Sequence, residues 1–266
     1  MAPNETLRFY NEQARHYPAI RARPIQVYTD DLERDALAPY VASAQAILDL
    51  GCGEGRLTRW MAEQVQARGN TARVHGADFS PEMIAVAKAL NGDLPATYGV
   101  GDAMALPFED NSFDLVVSST APNNFPNLDV ALKETHRVLS PGGYFFAVII
   151  NKDEAARFAR YAYYAPYYAW RLIRRSWEGP SDYERTLYTR EDIEGRLRGH
   201  FDIVRIQGLR IVSDFVPEFP LNFWSPLFPI MRGLINQTKA IDQTLAKHPI
   251  VGRYARFHLV IAKAVK

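Results

Sequence analysis

Between residues 46 and 150 the chain switches repeatedly, with short connections, between buried-strand and amphipathic-helix patterns. "AILDLG" is an apolar run, and "GRLTRWMAEQVQARG" has helical spacing with a stop at Gly69. "RVHGAD" reads as a second strand. "SPEMIAVAKAL" reads as a helix with Ser80 as N-cap, Pro81 at its first position and Glu82 in its first turn. "ATYGVGD" and "FDLVVSS" are two more strands, "LDVALKETHRVL" is a helix closed by "SPGG", and "YFFAVII" is a fifth strand. Alternation of this kind predicts an α/β fold with a mostly parallel sheet and helices on both faces, and right-handed crossovers leave few topologies. A helix over 189–199 and the strands "FDIVRIQGL" and "RFHLVIAKAV" follow, adding an antiparallel edge and bringing the strands to seven.

Two segments break the alternation. Residues 151–187 are crowded with Tyr and Arg, and residues 213–250 carry Pro217, Pro220, Pro226, Pro229 and Pro249. Insertions near the carboxyl ends of the strands are where such a fold builds its substrate site. The expected organisation is therefore a helical N-terminal cap (1–45), a cofactor-binding core (46–150) and a first lid insertion (151–187). Core again (188–212), a second lid insertion (213–250) and the final core strand (251–266) complete it.

The net charge of +1 lacks the basic excess of a nucleic-acid binder. The single cysteine, Cys52, allows no intramolecular disulfide framework and no cysteine-based zinc site, and the six histidines lack metal-ligand spacing, so no metal is expected. The N-terminus is polar without a signal-peptide core, and no run approaches the ~20 apolar residues of a membrane span. The expected location is cytoplasmic; oligomeric state is open.

The turn in "AILDLGCGEGRL" has glycines at every second position, 51, 53 and 55, after Asp49. A dinucleotide fingerprint would place its third glycine at position 56, which is Arg56. Asp78 ends the second strand, where a carboxylate accepts hydrogen bonds from both ribose hydroxyls. Asp102 follows the third strand, and with the amide of Ala103 it could pair with an adenine amino group. Three acidic strand ends on one sheet edge are hard to explain by structure alone.

"ILDLGCGEG", "HGADFSPEMIAVAK", "GDAMALPFEDNSFDLVVSS" and "ALKETHRVLSPGGYF" resemble the successive motifs of class I S-adenosylmethionine-dependent methyltransferases, over roughly residues 46–150. The resemblance implies a Rossmann-like seven-stranded sheet and S-adenosylmethionine as cofactor. It places Gly51 and Gly53 against the methionine part, Asp78 on the ribose, Phe79 and Met83 on the adenine, and Ser118 near the sulfonium. Tyr10 and Tyr17 are similar to an aromatic N-terminal segment that folds over the cofactor in relatives.

Methyl transfer to a hydroxyl is helped by a base. The family has no universal one; His16 and His248 are the candidates, whereas His136 is expected to pack or face solvent. The loop after the fourth strand brings Asn123 and Asn124 toward an acceptor, or uses them to build a turn. Tyr161, Tyr164, Tyr168, Phe223 and Trp224 in the two insertions would line a lid for a flat or lipophilic small molecule. Arg171, Arg174 and Arg175 form a solvated face, a peripheral membrane contact or a clamp for an acidic group. The expectation is O-methylation of a small, largely apolar or aromatic metabolite in secondary metabolism. C-methylation of an isoprenoid or lipid is second. An NAD-dependent oxidoreductase is disfavoured by the glycine spacing and Asp102, and a non-catalytic cofactor-binding partner is a third class.

Overall fold

The computed structural model describes residues 3–69, 71–154, 185–215 and 228–266. Within them a seven-stranded sheet runs β1 (Ala46–Leu50), β2 (Arg73–Asp78), β3 (Ala96–Val100), β4 (Phe113–Ser119), β5 (Leu139–Ile150), β6 (Phe201–Leu209) and β7 (Phe257–Ala264). The spatial order is β3-β2-β1-β4-β5-β7-β6. The first five strands are mutually parallel; β7 is antiparallel to both β5 and β6, with β6 at the edge. This is the Rossmann-like arrangement expected from the alternation.

Neighbouring side chains on a strand point to opposite faces, and β4 uses this to feed two cores. Val116 packs with Leu48, Phe145 and Val260 beneath α6 (Leu128–Val138) and α7 (Arg190–Leu197). Leu115 and Val117 pack with Phe146 and Ile261 on the other face, beneath α3 (Pro24–Ser43), α4 (Arg56–Ala67) and α8 (Phe228–Gln237). In α4 the apolar positions Leu57, Met61, Ala62 and Val65 recur on one helical face, and all are buried. Helix α5 (Pro81–Leu90) starts at Ser80, whose side chain accepts from Met83 N at 3.1 Å. Asn127 caps α6, and Thr189 with Asp192 forms a capping box at α7.

One local reading needs revision. "SPGG" does not separate a helix from a strand; β5 already begins at Leu139. Phe113 pairs with Leu139 and Leu115 with Tyr144, so Ser140–Gly143 is an irregular excursion within the strand, turned by Gly142 at φ +75°.

The N-terminal residues form α1 (Pro3–Gln13), α2 (Tyr17–Arg21) and α3. Of these, α3 is core, burying Ile25, Tyr28, Leu32, Leu37 and Val41. A ninth described helix, α9 (Lys239–Lys247), is tied to the sheet through the buried Asp242. Its carboxylate accepts from Ile211 N (2.9 Å), Val212 N (2.6 Å) and the Tyr28 hydroxyl (2.8 Å). Removing it leaves all three donors without this acceptor, and the Tyr28 hydroxyl is buried. Asp242→Ala should destabilise the protein by about 3 kcal/mol in urea unfolding, whereas a surface change such as Lys247→Ala should stay within about 0.5 kcal/mol.

Candidate active site

In sheet order, the carboxyl ends of β3, β2, β1 and β4 present Asp102, Asp78, Gly51 and Ser119 side by side. These residues line one cavity of about 300 Å³. The glycine turn is fixed by strand β2: Gly51 N and Cys52 N both donate to the Ala77 carbonyl, at 2.7 and 3.0 Å. Gly51 has φ +74°, and a Cβ there would lie 2.3 Å from Ala121 Cβ. Gly55 has φ +79° and would press a Cβ to 2.9 Å from the Tyr98 ring. At both positions conformation and packing demand glycine.

Asp78 is 6% exposed. Its Oδ2 accepts from Gly53 N (2.8 Å) and its Oδ1 from Ser80 N (2.9 Å), so one carboxylate orients both the glycine turn and the start of α5. A carboxylate has about four lone-pair sites, which leaves two for a ligand's hydroxyls. Burial pushes its pKa up to about 6, against the opposing pull of these amide bonds. Asp102 is exposed at the cavity, with Oδ1 accepting from Met104 N at 2.9 Å. Phe79, Ala103 and Val100 add apolar wall beside it.

The N-terminal helices close the other side. Thr6, Tyr10 and Tyr17 line the cavity. Tyr10 meets Phe79 and Tyr17 edge-on, with centroids 6.0 and 6.2 Å apart. Asn124 Nδ2 donates to the Tyr10 hydroxyl (3.0 Å), and Ser80 Oγ donates to Asn11 Oδ1 (2.6 Å), fastening α1 to the sheet. Ser119, the last residue of β4, and Thr120, Ala121, Phe125 and Pro126 of the loop after it also line the cavity. Thr120 is held at φ +59°, a strained conformation for a β-branched residue.

The remaining sequence candidates sit elsewhere. Asp49 is 2% exposed and accepts from Thr58 Oγ1 at 2.6 Å, bracing β1 against α4; burial pushes it up to about 6. Ser118 is buried and donates to the Leu50 carbonyl at 2.8 Å, so Ser119 takes the cavity position instead. Met83 is buried behind Tyr10 and Phe79 rather than on the cavity wall. Asn123 is fully buried: its Oδ1 accepts from Ile150 N (2.8 Å) and its Nδ2 donates to the Thr186 carbonyl (2.7 Å). His16 is exposed at the start of α2, and His248 is exposed with Nδ1 3.3 Å from the amides of Ile250 and Val251. Neither histidine lines the cavity. His136 packs on His200 and Phe201, with Nε2 2.8 Å from the Val265 carbonyl. Tyr161, Tyr164, Tyr168, Phe223, Trp224 and the Arg171, Arg174, Arg175 cluster lie outside the described residues.

One feature was not expected from the sequence. On the buried face of α3, Asp30 and Glu33 meet Arg56, the first residue of α4. Arg56 reaches Asp30 and Glu33, each at 2.9 Å, and Arg21 pairs with Asp30. Burial pushes Asp30 up to about 6 in spite of Arg56 and Arg21. For Arg56, the two carboxylates outweigh burial and raise its pKa further above the ordinary range. The signal was Arg56 itself, standing where a dinucleotide fold has glycine, opposite two acids on an otherwise apolar helix face.

Comparison with known proteins locates this site in a family. A family profile described as a methyltransferase domain matches residues 48–147, the segment containing the glycine turn, Asp78, Asp102 and Ser119. This segment is therefore similar to methyltransferase domains, and it carries the parallel half of the Rossmann-like sheet. The domain is 44% identical over 104 residues to a demethylmenaquinone methyltransferase of Staphylococcus aureus MRSA252, covering 39% of this chain and 42% of that protein. The equivalent protein of strain JH9 is 46% identical over 97 residues, covering 36% of this chain and 39% of that one. The chain thus spans about two fifths of the length of the curated relatives it matches. Among solved structures, a possible histamine N-methyltransferase from Thermotoga maritima aligns with a TM-score of 0.60 at 15% identity, over 98% of this chain and 100% of that one. A Mesorhizobium loti S-adenosylmethionine-dependent methyltransferase aligns with a TM-score of 0.56 at 21% identity, over 91% and 98%. A putative methyltransferase bound to the Haloferax volcanii Trm112 activator aligns with a TM-score of 0.59 at 19% identity, over 97% and 98%. At these identities the structures speak to the fold alone.

The donor set fits S-adenosylmethionine: no Cβ at the lining turn residues Gly51 and Gly53, a carboxylate with two acceptor sites to spare, and a second carboxylate on the β3 side. If Asp78 holds ligand hydroxyls, its titration would make binding pH-dependent: above about 6 the ionised carboxylate has acceptor sites for both, and below it a proton takes one. Affinity for S-adenosylhomocysteine, measured by calorimetry, should be flat from pH 7 to 8 and fall by up to about tenfold per unit below 6. Gly51→Ala should weaken it at least about a hundredfold at every pH, through the collision with Ala121.

Proposed function

We propose that the protein transfers a methyl group from S-adenosylmethionine to a small, largely apolar acceptor. The supporting observation is the single cavity that joins the glycine turn and two strand-end carboxylates to an apolar wall at Ala121, Phe125 and Pro126. When bound, the cofactor supplies an electrophilic methyl group on a positively charged sulfonium. Gly51 and Gly53 would flank its methionine part, Asp78 its ribose hydroxyls, and Phe79, Asp102 and Ala103 its adenine. Tyr10 and Tyr17, fastened over the cavity through α1, would exclude water and restrict the orientation of the acceptor. Positioning of this kind supplies up to about 7–11 kcal/mol in well-oriented systems.

For the acceptor, a carbon on an isoprenoid quinol is the reading we favour over a hydroxyl in secondary metabolism. The oxygen reading leaned on His16 and His248, and neither lines the cavity. The relatives named demethylmenaquinone methyltransferases match under two fifths of the chain, and their name points to a quinone acceptor. No described helix is long and apolar enough to cross a membrane.

Two assays test this. Purified protein is incubated with methyl-labelled S-adenosylmethionine and either detergent-dispersed demethylmenaquinol or extract of the source cells, then partitioned. Label on the quinol ring supports the carbon reading. Label in another solvent-soluble product keeps methyl transfer and removes the quinol. Label confined to protein or nucleic acid overturns the small-molecule reading.

A further inference from the structure

Ser119 is the cavity residue whose hydroxyl is tied to the buried ionic cluster. Its Oγ donates to Glu33 Oε1 at 2.9 Å, and Glu33 is 0% exposed. A serine hydroxyl has one proton, and here it is committed to the carboxylate. The oxygen therefore turns its lone pairs toward its other neighbours: Arg56 Nη2, at 3.5 Å, and the cavity. The cluster behind it is electrically balanced, with Asp30 and Glu33 against Arg21 and Arg56.

The order of the strand ends fixes what this oxygen would face. Asp102 and Asp78 stand at β3 and β2, where adenine and ribose would lie; the remainder of the ligand continues toward β1 and β4, whose ends carry Gly51 and Ser119. That remainder contains the sulfonium, which is cationic before methyl transfer and a neutral thioether after it. We propose that the Glu33–Ser119 pair makes the cavity charge-selective, favouring the sulfonium cofactor over its neutral thioether product. Ser119 contributes an acceptor oxygen fixed in place, and Glu33 keeps the charge behind it balanced. Selectivity of this kind would help the spent cofactor leave. The inference rests on the reading that this cavity holds S-adenosylmethionine.

The test is the ratio of affinities for S-adenosylmethionine and S-adenosylhomocysteine, measured by calorimetry on the full chain without any acceptor. Ser119→Ala leaves every ion pair of the cluster in place. It should lower the affinity for S-adenosylmethionine by about tenfold while leaving S-adenosylhomocysteine within about twofold. Glu33→Gln leaves the cluster with a net positive charge in a region of low dielectric and should shift the same ratio at least as far. Ser119→Thr keeps the hydroxyl and should restore the parental ratio. If Ser119→Ala leaves both affinities unchanged, or weakens both ligands equally, the charge-selective role is wrong. The second result would put Ser119 on the amino-acid end that both ligands share. If Glu33→Gln fails to fold, Ser119→Ala alone decides. Failure of the parent protein to bind either ligand would instead overturn the cofactor reading, and this proposal with it.

Discussion

A single carboxylate, buried between two backbone amides, organises the site. Asp78 holds Gly53 N on one oxygen and Ser80 N on the other, so the turn after β1 and the first turn of α5 are set by the same group. The parallel pairing of β1 with β2, Leu50 against Ala77, brings that carboxylate level with the turn. Ser80 caps α5 and also reaches Asn11, so the same point anchors the helix that covers the cavity. The glycine turn, the start of α5 and the attachment of α1 thus share one origin.

Much of this was legible in the sequence because its causes are local. Glycine spacing reports backbone conformation at residues 51–55, and Ser80-Pro81 reports a helix start; neither needs knowledge of distant packing. What escaped was set by partners far along the chain. Ser118 and Ser119 are adjacent at a strand end, and one residue of parity decides which hydroxyl meets the Leu50 carbonyl and which meets the cavity. Asn123 and Asn124 divide in the same way: the first is consumed by Ile150 and Thr186, and the second fastens Tyr10. His248 looked chemical as an isolated polar residue, yet its ring nitrogen lies against the amides of its own turn. Glu33 was invisible as a site residue because its roles come from Arg56 and Ser119, 23 and 86 positions away.

The segment that matches the family profile holds only part of the site. The matched segment, residues 48–147, ends within β5 and excludes α1, α2 and α3. Thr6, Tyr10 and Tyr17, which line the cavity, and Glu33, which accepts from Ser119, lie outside that segment. The glycine turn and strand-end carboxylates line one side of the cavity. The N-terminal helices and the loop after β4 line the rest and differ in kind: aromatic rings, an apolar wall and a strained Thr120.

Burying so many carboxylates opposes stability, and the sign of that opposition is informative. Asp30, Asp49 and Asp78 are each pushed by burial to about 6 from an ordinary value of 3.8, so the folded protein holds their protons more tightly than the unfolded chain does. Their contribution to stability is fully present below about 4 and is lost as pH rises through about 6. At neutral pH the three ionised groups therefore weaken the fold relative to mild acid. Asp49 recovers part of this through Thr58, and Asp30 through its two arginines. Asp78 is compensated only by backbone amides in the protein alone. A group held in its ionised form against the preference of the fold is stabilised most by a partner that needs that form, so any ligand whose hydroxyls donate to Asp78 would be coupled to folding there.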